Sequence, residues 1–305
     1  MGSGDVGCPV VERLLAAPQD ELVAVVTQPD RPQGRKLQPA PCPVKAFVAG
    51  RVPVLTPEKC GAPEFVAQLA ALQPDLIVVA AYGQFLPRAL LDLPPHGVIN
   101  VHPSLLPKYR GAAPIQWAVA RGESETGVSI IYLVEKMDAG DIIEQERVPI
   151  TPYATAAELT PQLAALGAGL LVRAVESIRA GTVRRLPQDD ALATRAPLLK
   201  KTDGRLDWSQ PALELHNRIR GFFPWPGCSF EWPRGSEKRV KVLKAIPTSG
   251  SGEAGTMISN DPRHLIVACG SGALQLIEVQ PEGKKPMPAA AFLNGAHLEP
   301  GDRLG

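Results

Sequence analysis

In the first half of the chain, short apolar runs alternate with stretches whose apolar residues recur at helical spacing. Leu22-Val23-Ala24-Val25-Val26 and Leu76-Ile77-Val78-Val79-Ala80-Ala81 have the length and β-branched content of strands, while Val10 to Ala17 and Ala62 to Leu72 read as helices. Gly97 to Val101 predicts a strand, Pro114 to Ala120 a helix, and Gly127 to Leu133 with Asp141 to Val148 a strand pair. A long helix over Ala156 to Ala180 repeats apolar residues at Leu159, Leu163, Leu166, Leu170, Leu171, Val175 and Ile178. Such alternation signals a parallel sheet with helical crossovers, an α/β fold of Rossmann-like type.

After Gly181 the pattern loosens. Arg184-Arg185-Leu186-Pro187-Gln188-Asp189-Asp190 onward to Lys200-Lys201 is polar and Pro-containing, as a connection between domains should be. A helix near Pro211 to Phe222 follows, then short β-rich runs at Cys228 to Trp232, Val240 to Ile246, Gly255 to Ser259, Leu265 to Cys269 and Gly272 to Val279. Five short strands suggest a small barrel of the OB type. The expected division is therefore a first domain over 1–183, a linker over 184–202 and a second domain over 203–305.

At 305 residues, 45% of them hydrophobic, the chain is long enough for two domains with cores. A net charge of +1 provides no global attraction for nucleic acid, so any such binding must come from local basic patches. Arg31, Arg35 and Lys36 form one such patch in a Pro- and Gly-rich loop; Lys238, Arg239, Lys241 and Lys244 form another. Lys241 differs by an odd number from Lys238 and Lys244, so in a regular strand these would not share a face. Five scattered cysteines, never paired as Cys-x-x-Cys, suggest neither a disulfide framework nor a zinc site, and the histidines show no metal-ligand spacing. No metal is expected. The apolar run at Leu76 to Ala81 is too short to span a bilayer, so a cytosolic protein without a membrane partner is expected.

Candidate chemistry lies where the third strand runs out. Asn100 and His102 sit two apart, so both side chains project from one face, at the strand end where open α/β sheets hold ligands. An amide donor and an imidazole, with a carboxylate from Asp138 in Met137-Asp138-Ala139-Gly140-Asp141, supply what acyl transfer needs: donors aimed at an oxyanion and a base for the proton. Ser104 lacks the Gly-x-Ser-x-Gly elbow of a nucleophilic serine, which favours direct transfer to an amine over an acyl-enzyme. Gly2-Ser3-Gly4-Asp5-Val6-Gly7 fits the dinucleotide fingerprint in letters only, since a true fingerprint follows a strand and has a distal acid at the end of the next.

The set from Asn100 to Ile115 together with Met137 to Asp141 closely resembles the folate-dependent formyltransferases. Thr27-Gln28-Pro29-Asp30-Arg31-Pro32 and Ala80-Ala81-Tyr82-Gly83-Gln84-Phe85-Leu86-Pro87 extend the likeness. In the second half, Asp207-Trp208-Ser209, Phe223-Pro224-Trp225-Pro226-Gly227, Gly283-Lys284-Lys285 and Pro300-Gly301-Asp302-Arg303-Leu304 are similar to the branch acting on tRNA. The resemblance implies a 10-formyltetrahydrofolate donor and an initiator methionyl-tRNA acceptor, used by a monomer in the cytoplasm. It implies Asn100, His102 and Asp138 around the formyl group, Ser104, Leu105, Leu106, Pro107 and Asp141 beside the folate, and Arg31, Arg35 and Lys36 on the tRNA. After Gly34-Arg35 the basic loop is about two residues shorter than the family form. In this family the turn at Met1 to Gly4 follows a first strand, so a short apolar strand is expected before Met1.

Overall fold

The computed structural model describes residues 1–33, 38–232 and 239–305. Contacts group them into two compact units: Met1–Pro114 with Glu125–Pro149 and Thr160–Pro197, and Ile115–Ser124 with Ile150–Leu159 and Leu198–Gly305.

The first unit contains α1 (Gly7–Ala16), β1 (Val25–Val26), the hairpin β2 (Arg31–Gln33) and β3 (Gln38–Ala40), α2 (Pro43–Phe47), β4 (Val54–Leu55), α3 (Pro63–Ala71), β5 (Ile77–Val79), α4 (Arg88–Leu91) and β6 (Val98–His102). α5 (Pro114–Ala120) belongs, but for Pro114, to the second unit; after it come β7 (Glu125–Tyr132), β8 (Ile142–Pro149) and the long α6 (Ala156–Arg179), which groups with the first unit from Thr160 on. β1 pairs parallel with β4, and β5 with β6. β7 and β8, the expected strand pair, extend the second block antiparallel in the order β5-β6-β7-β8. Apolar alternation explains the core: Val26, Ile77, Val79 and Val98 pack with Phe65 and Leu69 of α3. Leu163, Leu170 and Leu171 of α6 are fully buried, each contributing about 1.5–3 kcal/mol by leaving water. At Gly167 of α6 a side-chain carbon would stand 2.7 Å from Val101 Cγ1, so glycine lets the helix lie directly on the strand that ends at His102.

Met1 and Gly2 stand between β1 and β5. The Met1 amine donates to Val78 O at 2.6 Å, the Ala80 amide to Met1 O at 2.9 Å, and the Gly2 amide to Val26 O at 2.9 Å. Beside these two residues runs a groove of about 470 Å³, lined by Val25 and Val26 on one side and Leu76 and Val78 on the other. The fingerprint-like glycines serve this packing: Gly2 bridges Ala80, and Gly7 opens α1.

The second unit contains α7 (Ala212–Gly221), β9 (Cys228–Glu231), β10 (Arg239–Thr248), β11 (Leu265–Ala268), β12 (Ala273–Pro281), β13 (Met287–Pro288) and α8 (Ala289–Ala296). Its strands form a curled antiparallel sheet, a half-barrel in the order β11-β12-β10-β9, with β13 on β12. Gly255 to Ser259 makes only isolated bridges, Thr256 to Arg303 and Met257 to Val267, in place of the strand expected there. The turn at Gly255, with φ +85°, breaks the extended run.

The stretch from Arg184 onward does not hang free. Leu186 bridges Ile142, and Arg195 bridges Arg110, so residues up to Pro197 are grouped with the first unit. Among the described residues no helix is long and apolar enough to cross a membrane.

Candidate active site

The antiparallel ladder to β7 holds β6 extended, with Asn100 opposite Ile131 and His102 opposite Ser129. Asn100 and His102 therefore share a face, as their spacing predicts. His102 is 4% exposed, and its Nε2 lies 3.0 Å from Tyr109 O. A carbonyl oxygen only accepts, so Nε2 carries the hydrogen and Nδ1 is the ring position left for a proton. Nδ1 faces Asp138 Oδ2 at 3.8 Å. Asp138 Oδ2 in turn accepts the Gly111 amide hydrogen at 2.8 Å. Among the described residues the Asn100 side-chain amide, half-buried at the strand end, has no hydrogen-bond partner of its own.

Gly111 is forced at its position. Its φ is +129°, and an added Cβ would stand 2.5 Å from Ala196 O. Without a side chain it fits under the returning chain, where Ala196 N bonds Arg110 O at 2.8 Å and Arg110 N bonds Thr194 O at 2.9 Å. Asp138 itself adopts a left-handed φ of +48°, uncommon for a residue other than glycine.

The Ser104 to Pro107 loop rests on a polar hub centred on the buried Ser129. Ser129 Oγ donates to Ser104 O at 2.6 Å and accepts from Leu106 N at 3.2 Å. Gln145 Nε2 donates to Leu106 O at 3.0 Å and to Ser129 Oγ at 2.8 Å. Ser104 Oγ closes its own turn on Lys108 O at 2.8 Å. Leu106 packs into a cluster with Ile131 and Ile142, and Leu105 and Pro107 are half-buried beside it. Asp141 enters the ladder through its carbonyl, which accepts from Tyr132 N at 3.0 Å. These contacts put the Asn100, His102, Ser104–Pro107 and Asp138 segments around one strand end.

Arg31 lies apart from that cluster, on the exposed β2–β3 hairpin, where it pairs with Glu58 at 3.4 Å. Arg35, Lys36 and Lys238 lie outside the described residues. The alternation that would put the second basic group on two strand faces breaks at Leu243. Lys241 pairs with Gln280 and Val242 with Val279, but the next partners are Lys244 with Glu278, leaving Leu243 as an extra residue. Such a bulge reverses the alternation, so Arg239, Lys241 and Lys244 all face outward while Val240, Val242 and Ala245 are buried.

Several side chains that build this site carried no weight in the sequence. Ser129, polar within the run Val128 to Ile131, was the visible clue, because a buried polar group in a strand must find partners. Gln188 gave none. It sits in the polar stretch read as a connection, yet its amide reaches Asp138 O, Gly140 O and Arg110. Among the described residues, no group of three or more His, Cys, Asp or Glu side chains is arranged to hold a metal ion.

Residues 1–175 match the formyl transferase family, and residues 198–297 match the formyl transferase C-terminal domain. A methionyl-tRNA formyltransferase of Moorella thermoacetica is 48% identical over 100% of this chain and 98% of its own length. One of Geobacter metallireducens is 44% identical over 100% of this chain and 97% of its own. Among solved structures, WlaRD, a sugar 3N-formyl transferase crystallised in the presence of dTDP and 5-N-formyl-THF, superposes with a TM-score of 0.67. It covers 93% of this chain and 97% of its own at 17% identity, a likeness of fold.

Proposed function

The chain belongs to the formyl transferase family, and on that premise we propose that it transfers a formyl group from 10-formyltetrahydrofolate to the α-amino group of methionine on initiator tRNA, preparing it for translation initiation. The observation that carries this reading is the match to methionyl-tRNA formyltransferases along the whole chain, second domain included.

The neutral amine attacks the formyl carbon, and the carbonyl electron pair moves onto oxygen. An α-amino group with a pKa of about 7.7–8.0 is partly neutral at physiological pH, so no strong base is needed. The free Asn100 amide donates to the oxyanion. His102, whose Nε2 is engaged by Tyr109, acts through Nδ1, and Asp138 orients the ring and relays the amine proton. Collapse of the tetrahedral adduct expels tetrahydrofolate, whose nitrogen recovers a proton.

Ser104 to Pro107 and Asp141 border the folate, the loop held in shape by Ser129 and Gln145. Arg31, Arg35 and Lys36 meet tRNA phosphates, and the outward stripe of Arg239, Lys241 and Lys244 offers a second contact in the other unit. The chain works as a monomer in the cytoplasm, where its acceptor is found. The direct test is formyl transfer from 10-formyltetrahydrofolate to charged initiator tRNA, with elongator methionyl-tRNA as control. Transfer to neither would overturn the reading.

A further inference from the structure

We propose that Gln188 is a positioning residue for this reaction: its side-chain amide ties the Asp138 loop to the Tyr109–Gly111 turn and so sets the Asp138 carboxylate opposite Nδ1 of His102. The proposal rests on reading Asp138 and His102 as the reacting pair.

All four bonding directions of the amide are used. Nε2 donates to Asp138 O at 2.8 Å and to Gly140 O at 2.7 Å. Oε1 accepts from Arg110 Nη2 at 2.8 Å and Nε at 3.1 Å. Arg110 is 9% exposed, and its remaining nitrogen Nη1 pairs with Asp190 at 2.7 Å. The two segments joined in this way carry every partner described for the pair. Tyr109 O takes His102 Nε2–H, Gly111 N–H reaches Asp138 Oδ2, and Arg110 lies between those two residues.

The left-handed backbone of Asp138 gives this bond its purpose. An L-residue at φ +48° is held there at a cost of order 1 kcal/mol or more, and it persists only when its surroundings fix it. Gln188 captures the Asp138 carbonyl and, two residues on, the Gly140 carbonyl. Released from both, the loop can return to a commoner backbone, carrying the carboxylate away from Gly111 N–H and His102. Only an amide suits the position, because it must donate to two carbonyls on one side and accept from a guanidinium on the other.

Gln188→Glu separates these duties, since a carboxylate still accepts from Arg110 but cannot donate to the carbonyls. Gln188→Met keeps the volume and removes both duties. We expect each to lower kcat about 10²-fold, as small misplacement of a reacting group does, while KM for donor and acceptor stays unchanged. In an Asp138→Asn background, adding Gln188→Glu should cost nothing further, because the residue acts through that carboxylate. A readout independent of turnover is the side-chain ¹⁵N resonance of His102 in histidine-labelled protein, which should move in Gln188→Glu as it does in Asp138→Asn.

Unaltered kcat and an unmoved His102 resonance in a cooperatively melting variant would overturn the proposal, as would a full additional loss in the Asp138→Asn background. If Gln188→Glu fails to melt cooperatively, Gln188→Met supplies the same readouts without burying a charge. Absence of formyl transfer by the unmodified chain, with the resonance still responding, would remove the activity and leave the positioning intact.

Discussion

Oδ2 of Asp138 stands 3.8 Å from Nδ1 of His102, beyond hydrogen-bond reach, while the same oxygen is held by the Gly111 amide at 2.8 Å. The carboxylate is thus fixed by the backbone before the imidazole needs it.

Replacing the members of this group should separate chemistry from binding. Asn100→Ala is expected to lower kcat by about 10²–10³, the usual result of losing one oxyanion donor, and His102→Ala, which removes the ring that acts through Nδ1, by a similar factor, with tRNA binding nearly intact. Asp138→Asn keeps the shape and removes the charge, and should be at least as damaging. Steady-state rates with a parallel filter-binding measurement check this; near-normal turnover in all three variants would take these residues out of the reaction.

Gly111→Ala attacks the same carboxylate from the backbone side. With φ at +129° and Ala196 O only 2.5 Å from the new Cβ, the turn must shift. A loss of about 1–3 kcal/mol in urea unfolding is expected, the range for strain and overpacking, together with a fall in kcat. Wild-type values for both would mean that the turn relaxes without moving its amide.

The acid limb of stability should depend on Asp190. Hydrogen bonds from Lys136 and then Arg110 hold its carboxyl below the ordinary 3.8. A depressed folded value makes the contribution complete above the unfolded pKa and removes it as pH falls through the folded one. Melting temperature against pH should therefore drop less steeply for Asp190→Asn than for the unmodified chain below about pH 4, the carboxylate range. Parallel curves would show that the exposed carboxylate is screened from the fold.

The outward stripe on β10 predicts a salt effect. Lys241→Ala with Lys244→Ala should weaken tRNA binding and reduce the slope of log K against log salt by about 0.7–0.9 for each phosphate no longer neutralised. Folate binding should not change. An unaltered slope would assign the stripe to solvent.

The elements legible in the sequence were those with a sustained period. α3, α5 and α6 fall within a residue or two of their expected bounds, and the β7–β8 pair was visible as two strand-like runs. β6 was legible as a strand end, and the Asn-x-His spacing put both side chains on one face. What stayed hidden depends on contacts between distant segments. Thr194, Ala196 and Gln188 are bound to the site by hydrogen bonds across some 50–85 positions of sequence, which leave no local periodicity. The bulge at Leu243 was invisible for a related reason: an extra residue in a ladder is defined by its partner strand. The β2–β3 pair and α8 leave no such signal either, the first short and Pro-containing, the second rich in alanine with few large apolar side chains to set a phase.

The close seat of α6 on β6 bears on how the fold opens. Gly167 lets the helix lie against Val101, while β5 and β7 pair with β6 along its two edges. Deuterium should therefore replace the amide hydrogens of Ile99 to Val101 and Val128 to Ile131 only when the unit unfolds as a whole; early exchange there would mean that the long helix lifts from the sheet on its own.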